Sequence, residues 1–589
     1  MPHIVIDGQH IEAQQGNTVL QVAYQNGIDI PHFCWHPELS ISGNCRMCLV
    51  EVGFPKRLAD GTFEKDKNGE LVINYFPKLQ IACATQVSEG MNIRTKTDTV
   101  IKSQEIVMEF FLINHPLDCP ICDEAGQCKL QEYAFNHSTG ESRFIEEKVH
   151  NKKRISWGPN VLYDGERCIK CSRCIRFAQE IAGQDVLTFV NRGDHVTIEL
   201  FEGKEFDSKY SMNVIDICPV GALTSKDFRF KARVWDMSFN NSICPGCARG
   251  CNISLGVRNN EILRIEPKPN KYVNSFWMCD YGRLTQYPYV NNQRITEPLA
   301  KQKTEHIKIT WADAVNKSSE ILKKYKPEEI MFIGSGKSTN EDIYIFSKFV
   351  KQVIKSKNID FIEHTDDKFE DKLLRKKDLT PNSTGAKYFG LKQNEGITLE
   401  KLGDKINNKE IKALFLLDDV IDEINNLVNS ISKLEAFILV TSNYSPLAEK
   451  ADLVLPSSTY AEIEGTYINF ENRVQHFEPA LVTSENLRYM GMKMSRLDKF
   501  GAHNDRWTQH VNRNCKQVWK IIQGIANKLG SNWNYKRSED VFTEIEANFE
   551  DFKGMSYELL DEYQGIKLSN SSNPDEKVNY YESHYMKPM

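Results

Sequence analysis

The sequence predicts a multidomain chain, α+β in its first half and α/β in its second. Two observations predict this. Fifteen of the sixteen cysteines lie before residue 280, sorted into four separate sets. Beyond them, strand-like runs alternate with helical stretches, the pattern of a parallel sheet. At 589 residues the chain is also too long for a single core.

The bulk numbers exclude several classes. The formal net charge is −6, whereas a nucleic-acid binder favours a basic balance. No apolar run approaches the roughly 18 residues of a membrane helix; IMFIGSG and ALFLLDD are far shorter. The start, MPHIVIDGQHIE, reads as neither a basic leader nor an apolar signal core. Disulfide scaffolds belong to short exported chains, so the cysteines read as metal ligands in a reducing cytoplasm.

The first set opens in HIVIDGQHIEA, a hairpin closed by Asp7 and Gly8. Thr18 is an N-cap for the helix VLQVAYQN, with Val19, Val22 and Ala23 on one face and Gly27 as the stop. Cys34, Cys45 and Cys48 follow in one loop, and Cys83 arrives from IACATQV. Three clustered cysteines plus a remote one is the plan of a plant-type [2Fe–2S] site. Gly43 and Asn44 let the loop curl its amides toward the sulfurs. The stretch PKRLADGTFEKDKNGE reads as a solvated hairpin insert. Zinc on a CxxC pair plus two further cysteines is the competing reading.

The second set follows a helix, TDTVIKSQEIVMEFFLIN, with Val100, Val107 and Phe111 on one side and Ile106, Phe110 and Ile113 close by. Pro116 ends that helix and pushes His115 out of it. His115 then stands four residues ahead of Cys119, Cys122 and Cys128, which reads as a His/Cys₃ ligand set. A neutral imidazole in place of a thiolate raises a cluster's potential, by ~100 mV or about 2 kcal/mol per electron. Zinc also accepts Cys₃His.

The third set, Cys168, Cys171 and Cys174 with Cys218–Pro219, is half of a bacterial ferredoxin pattern and holds one [4Fe–4S] cluster. Arg167, Lys170, Arg173 and Arg176 interleave with it, either offsetting the cluster's charge or forming a solvated face. The fourth set is Cys244, Cys247 and Cys251 with Cys279, again a [4Fe–4S] pattern with zinc as its rival. Downstream, EIMFIG, IDFIE, ALFLLD and AFILVT are strands, alternating with helices such as NEDIYIFSKFVKQVIK and DEINNLVNSISKL. GSGKST lacks the first glycine of a phosphate loop, since Met331 stands there, and reads as a plain turn. QVWKIIQGIANKLG reads as a helix, the polar end from Ser569 as an arm, and Cys515 as incidental.

With PHFCWHPELSISGNCRMCLVEV, HPLDCPICDEAGQCKLQ, RCIKCSRCIRF with DICPVGAL, and CPGCARGC with CDYGR in view, the chain resembles a known family. It is that of the large iron–sulfur subunits (the G subunit in bacteria) of proton-pumping NADH:quinone oxidoreductase, respiratory complex I. The weaker similarity of RITEPL, ITWADA, NSTGAKYFGL and LPSSTYAEIEGTYINFENRVQ is to the molybdopterin-oxidoreductase fold.

The resemblance implies a β-grasp [2Fe–2S] ferredoxin-like domain over 1–95, a helical His/Cys₃ [4Fe–4S] domain over 96–150, and a [4Fe–4S] ferredoxin-like domain over 151–235. A [4Fe–4S] domain of molybdopterin-oxidoreductase type over 236–295, a shortened α/β region of that fold over 296–480, and a helical region with a polar tail over 481–589 complete it. It implies one [2Fe–2S] cluster on Cys34, Cys45, Cys48 and Cys83, and [4Fe–4S] clusters on the other three sets, the fourth lying off the main path. The implied function is to relay single electrons from the flavin (NADH-binding) subunit towards ferredoxin-like and quinone-module subunits, with no self-contained active site. The implied location is the inner face of a bacterial plasma membrane, reached through partners. The alternative is the equivalent subunit of a soluble NAD-linked hydrogenase or formate dehydrogenase. Two departures speak against a molybdopterin cofactor. No cysteine lies between Cys279 and Cys515, and only a charged segment links His364 to Ala413. Asp280 and Tyr281 also stand where catalytic relatives commonly carry a lysine.

Overall fold

The computed structural model describes residues 1–392, 396–418, 427–486 and 513–570. The chain divides into two units, residues 1–235 and 236–578. The sequence-predicted tail from 571 onward lies outside the described residues.

In the first unit, β1 (His3–Ile6) and β2 (Gln9–Glu12) form the expected hairpin. Its turn residues Asp7 and Gly8 both take positive φ, 47° and 86°, as a two-residue turn matched to strand twist requires. Helix α1 (Val19–Gln25) begins at Thr18, which exchanges capping bonds with Gln21, and Gly27 follows at φ 71°. The helix buries Val19, Leu20, Val22 and Ala23 against a sheet completed by β3 (Leu49–Pro55), β4 (Ile73–Tyr75), β5 (Gln80–Ile81) and β6 (Asn92–Arg94). The strand order β2-β1-β6-β3-β4, with β1 and β6 parallel and β5 paired to β3, is a β-grasp arrangement. The insert between β3 and β4 is a mostly exposed, bridged hairpin.

Helix α2 (Asp98–Leu112) is capped by Thr97. Its fully buried residues are Val100, Gln104 and Met108, so of the expected apolar positions Val100 holds and Ile106 and Phe110 do not. Phe110 is 70% exposed and Ile106 44%. A buried glutamine in the stripe hid the true face from the apolar pattern. Phe111 still packs inward, its ring 5.0 Å from that of Phe33. After α3 (Lys129–His137), β7 (Ile155–Ser156), β8 (Val161–Tyr163) and β11 (Leu223–Ser225) make a small antiparallel sheet in the order β11-β8-β7, and β9 (Leu187–Val190) pairs with β10 (Thr197–Leu200). Between β8 and β9 lies the short helix α4 (Arg173–Arg176).

The second unit starts with a meander of β12 (Ser238–Ile243), β13 (Asn252–Arg258) and β14 (Glu261–Pro267). Its main sheet contains β15 (Leu299–Gln302), β16 (Glu305–Lys308), β17 (Ile330–Ser335), β18 (Ile359–Ile362), β19 (Ala413–Leu417), β20 (Ala436–Thr441) and β21 (Leu453–Pro456). Five neighbours, in the order β18-β17-β19-β20-β21, are parallel, as the alternation predicted. Apolar clusters cover the two faces of this sheet. The GSGKST turn joins β17 to the helix Asn340–Lys348. Gly336 is there for packing, because a Cβ would stand 2.8 Å from Thr380 Oγ1. QVWKIIQGIANKLG forms the helix Val518–Lys528.

A buried ion triad pins the segment that carries Cys515. Glu462 accepts from Arg294 at 2.8 Å and from Arg513 at 2.7 Å, with no exposure of its own side chain. Burial alone would raise the Glu462 carboxyl, but the two guanidinium groups overcome it and hold it below the usual range. Cys515 is fully buried beside this triad, 3.8 Å from Glu462 Oε2, and burial pushes its thiol up to about 12. Glu462→Ala is expected to destabilise this unit by about 3–5 kcal/mol, because two buried guanidinium charges lose their partner. Denaturant unfolding followed by tryptophan fluorescence checks this; a loss under about 1 kcal/mol would contradict it. With a depressed folded pKa, the triad's contribution is complete above the unfolded carboxyl value, about 4.3, and fades as pH falls through the lower folded value.

Candidate metal centres

The four thiols of the first set are linked by contacts with one another. Cys34, Cys45, Cys48 and Cys83 are all buried. The Cys34 thiol bonds with those of Cys45 and Cys83, and Cys48 with Cys83. These contacts lower Cys34 and Cys48 while raising Cys45 and Cys83, so the four behave as one charge-sharing group. The amides of Cys45 and Asn44 donate to the Cys34 sulfur, and the Phe33 amide lies 3.5 Å from Cys45 Sγ. Gly43, at φ 63°, makes the curl that the sequence suggested.

His115, Cys119, Cys122 and Cys128 line one cavity of about 890 Å³, together with Arg167 and Gly221. Burial first, then Arg167 and Lys148, lower His115 to about 4, which keeps the imidazole neutral and one ring nitrogen free to act as a donor atom at physiological pH. Burial and the Glu124 charge push Cys128 up to about 12. Two supports escaped the sequence. Lys148 Nζ donates to the carbonyls of Leu112, Ile113 and His115 at 3.2, 2.6 and 3.1 Å, tying down the end of α2 and the histidine backbone. At Gly221 any Cβ would stand 2.1 Å from Cys122 Sγ.

The third set winds through left-handed residues, Lys170 at φ 58° and Ser172 at φ 63°. That winding turns amides inward: Lys170 N–H lies 3.4 Å from Cys168 Sγ, and the Arg173 amide donates to Cys171. Burial pushes Cys168 up to about 11, where the Tyr163 hydroxyl opposes the rise. Burial, and then repulsion from Cys171, Cys168 and Cys218, raises Cys174 well above the ordinary thiol range. The interleaved charges are mostly not a solvated face. Arg167, Arg173 and Arg176 are 4%, 7% and 8% exposed, and only Lys170 is half-exposed.

In the second unit, Cys244, Cys247, Cys251 and Cys279 share one pocket. Cys279 caps the helix Asp280–Thr285 through Gly282 N–H at 3.4 Å, and burial pushes its thiol up to about 12. A Cβ on Gly282 would stand 2.9 Å from Cys244 Sγ. The pocket wall was not foreseen: the charged segment after His364 supplies Phe369, Leu374 and Arg375. The Arg375 guanidinium lies 3.6 Å from the Phe369 ring centroid, and that ring meets Tyr281 edge-on at 4.9 Å. The Lys376 amide donates to Cys247.

Buried thiols that repel one another as thiolates are a poor arrangement alone, and a good one around positive charge. Iron–sulfur clusters fit these four sets in donor chemistry and in the inward amides. Among the described residues, no group of three or more His, Cys, Asp or Glu side chains is arranged as a ready single-ion site.

The fold is that of a chain of iron–sulfur-binding domains followed by a molybdopterin-oxidoreductase-type region. Family models match along the chain: a 2Fe-2S iron-sulfur cluster binding domain at 3–98, the NADH-ubiquinone oxidoreductase-G iron-sulfur binding region at 104–143, and the NADH-quinone oxidoreductase subunit 3 ferredoxin-like domain at 158–224. A molybdopterin oxidoreductase Fe4S4 domain matches 237–292, and molybdopterin oxidoreductase matches 294–386 and 381–489.

The resemblance to the large iron–sulfur subunit of NADH-quinone oxidoreductase, drawn from the motifs, is borne out by relatives. The Rickettsia conorii NADH-quinone oxidoreductase G subunit is 40% identical over 59% of this chain and 48% of its own length. The Reclinomonas americana NADH-ubiquinone oxidoreductase 75 kDa subunit is 38% identical over 65% of this chain and 53% of its own. The Thermus thermophilus NADH-quinone oxidoreductase subunit 3 is 35% identical over 61% and 47%. The chain thus matches these relatives over about half of their length. A solved NAD+-reducing [NiFe]-hydrogenase is 26% identical, with a TM-score of 0.31 over 40% of this chain and 91% of that one.

Gly221→Ala is expected to remove the second centre alone. Iron analysis and low-temperature EPR check it: loss of one [4Fe–4S] signal with the others kept is the expected result, and four intact signals the opposing one.

Proposed function

We propose that the chain is the iron–sulfur electron-transfer subunit of an NADH:quinone oxidoreductase. It relays single electrons from a flavin subunit towards ferredoxin-like and quinone-module partners, in a complex that couples the flow to proton translocation. One [2Fe–2S] and three [4Fe–4S] clusters would be held by the four sets, with His115 as the non-thiolate ligand. When bound, they supply reversible one-electron storage without proton chemistry. The polypeptide contributes position and electrostatics, and no acid–base residue is assigned.

The observation that carries the reading is the contiguity of the first three sets within one unit. The third set touches both others through ligand residues and their neighbours. Toward the first, Arg176 donates to the Cys34 carbonyl, Arg173 to the Trp35 carbonyl at 2.6 Å, and Asn44 Nδ2 to the Lys170 carbonyl at 3.1 Å. Toward the second, the Lys129 amide donates to the Pro219 carbonyl at 3.1 Å, and Gly221 lies against Cys122. Arg167 donates to Asp118 Oδ2 at 2.8 and 3.0 Å across the same boundary. This supports a relay in the spatial order first, third, second rather than in chain order.

Among the described residues no helix is long and apolar enough to cross a membrane. We infer attachment to the inner face of a bacterial plasma membrane through partner subunits, with the fourth centre off the main path.

In the assembled complex, Cys168→Ala is expected to abolish NADH-to-quinone turnover, since it breaks the middle site. Cys244→Ala is expected to lower stability more than turnover. Turnover and thermal unfolding measured side by side check both. Full turnover in the first variant would remove the third centre from the path, and equal losses in the second would place the fourth centre on it.

A further inference from the structure

The first and third sets are joined by side chains whose contacts support the relay reading but whose charge that reading does not use. Arg176 is 8% exposed, and its guanidinium is spread across the boundary between the two sites. Nη2 donates to the carbonyl of Cys34 at 2.5 Å and to that of Cys171 at 3.4 Å, one residue from each ligand set. Nη1 donates to the Ser40 carbonyl, and Nε to Ser172 Oγ at 3.2 Å. Ser172 Oγ in turn lies 3.1 Å from Ser42 Oγ. Every one of these partners is a carbonyl or hydroxyl oxygen. Glu180, which acts on Arg176 through space, bonds the amide and hydroxyl of Ser40 instead. A guanidinium is charged at every physiological pH, so a full positive charge sits buried between two thiolate sites.

We propose that Arg176 is a positioning residue that sets the two sites as a pair: it fixes their spacing through the Cys34 and Cys171 carbonyls and raises both reduction potentials through its shared charge. The chain of reasoning is electrostatic. Reduction adds one negative charge to each centre, and a cation in a low-dielectric interior favours that added charge at both places. Because the same group bonds both ligand backbones, it acts on both potentials together. The difference between the two potentials is then largely kept while the pair is shifted together. Arg173 parallels it sterically, reaching the Trp35 and Ile217 carbonyls at 2.6 and 2.9 Å, next to Cys34 and Cys218.

This inference rests on the reading that these sets hold clusters. A wild-type complex without iron–sulfur signals would sink that reading and this inference with it, whereas a wild-type complex with both signals, neither of them moved by the substitution below, would sink this inference alone. The test is potentiometric EPR on the complete complex carrying Arg176→Gln, which keeps an amide donor for a carbonyl but loses the charge, with Arg176→Lys as the charge-conserving control. In the glutamine variant, both the [2Fe–2S] signal of the first set and the [4Fe–4S] signal of the third should require a more reducing potential. The expected effect is at least a tenfold drop in the reduced-to-oxidised ratio at fixed potential, ~59 mV for one electron. The lysine variant should return both close to wild type. Unchanged potentials in a loaded glutamine variant, or a shift in only one of the two signals, would overturn the proposal. Should the glutamine variant fail to load, a second neutral variant, Arg176→Met, decides: two lowered potentials uphold the shared charge, and wild-type potentials refute it.

Discussion

Fifteen thiols and one imidazole are gathered into four groups, most of them away from water. Thiolates so placed repel each other, and burial raises all eight of those in the third and fourth sets. Held as thiolates, such groups become favourable around a positively charged inorganic core, and the inward amides and close-packed glycines suit one. Amides turn inward at Cys34, Cys168, Cys171 and Cys279, and glycines at 221 and 282 leave no room for a methyl group where sulfur must sit. The left-handed turns at Lys170 and Ser172 are the backbone expression of the same demand. These requirements shape the loops far more than secondary-structure preference does.

Charge is handled differently at each set. The second combines a neutral histidine with the Arg167–Asp118 pair and the Lys148 clamp, in a cavity that is partly open. The third is mostly buried, and two arginines reach out of it to the backbone of the first. The fourth, in the other unit, is covered by Phe369 and Arg375 from a segment that reads as merely charged. A cation stacked on an aromatic ring is a way of bringing positive potential to a pocket while keeping water out.

Much of this was legible beforehand, for physical reasons that can be named. Cysteine spacing reports cluster ligation because the spacing is dictated by the cluster, and Asp7–Gly8, Thr18 and Gly27 report a hairpin and a helix because few residues serve those backbone states. The parallel strands were visible as apolar runs; β21, β15 and β16 were not read as strands, their runs being short. Long-range supports stayed hidden. Nothing local to Gly221 connects it with Cys122, and nothing local to Lys148 with the end of α2. The interleaved arginines could have been a wet face, because sequence does not reveal that loop carbonyls from the first set come to meet them. Phe110 was misplaced because Gln104, a polar residue, occupies the buried stripe.

Every step depends on inorganic iron and sulfide filling the thiolate sets. The most direct measurement is the iron and acid-labile sulfide content of anaerobically isolated chain, read with EPR before and after dithionite. The account expects about fourteen of each per chain, from one two-iron and three four-iron clusters, and new signals on reduction. Zinc in place of iron, no labile sulfide and no signal after dithionite would contradict it.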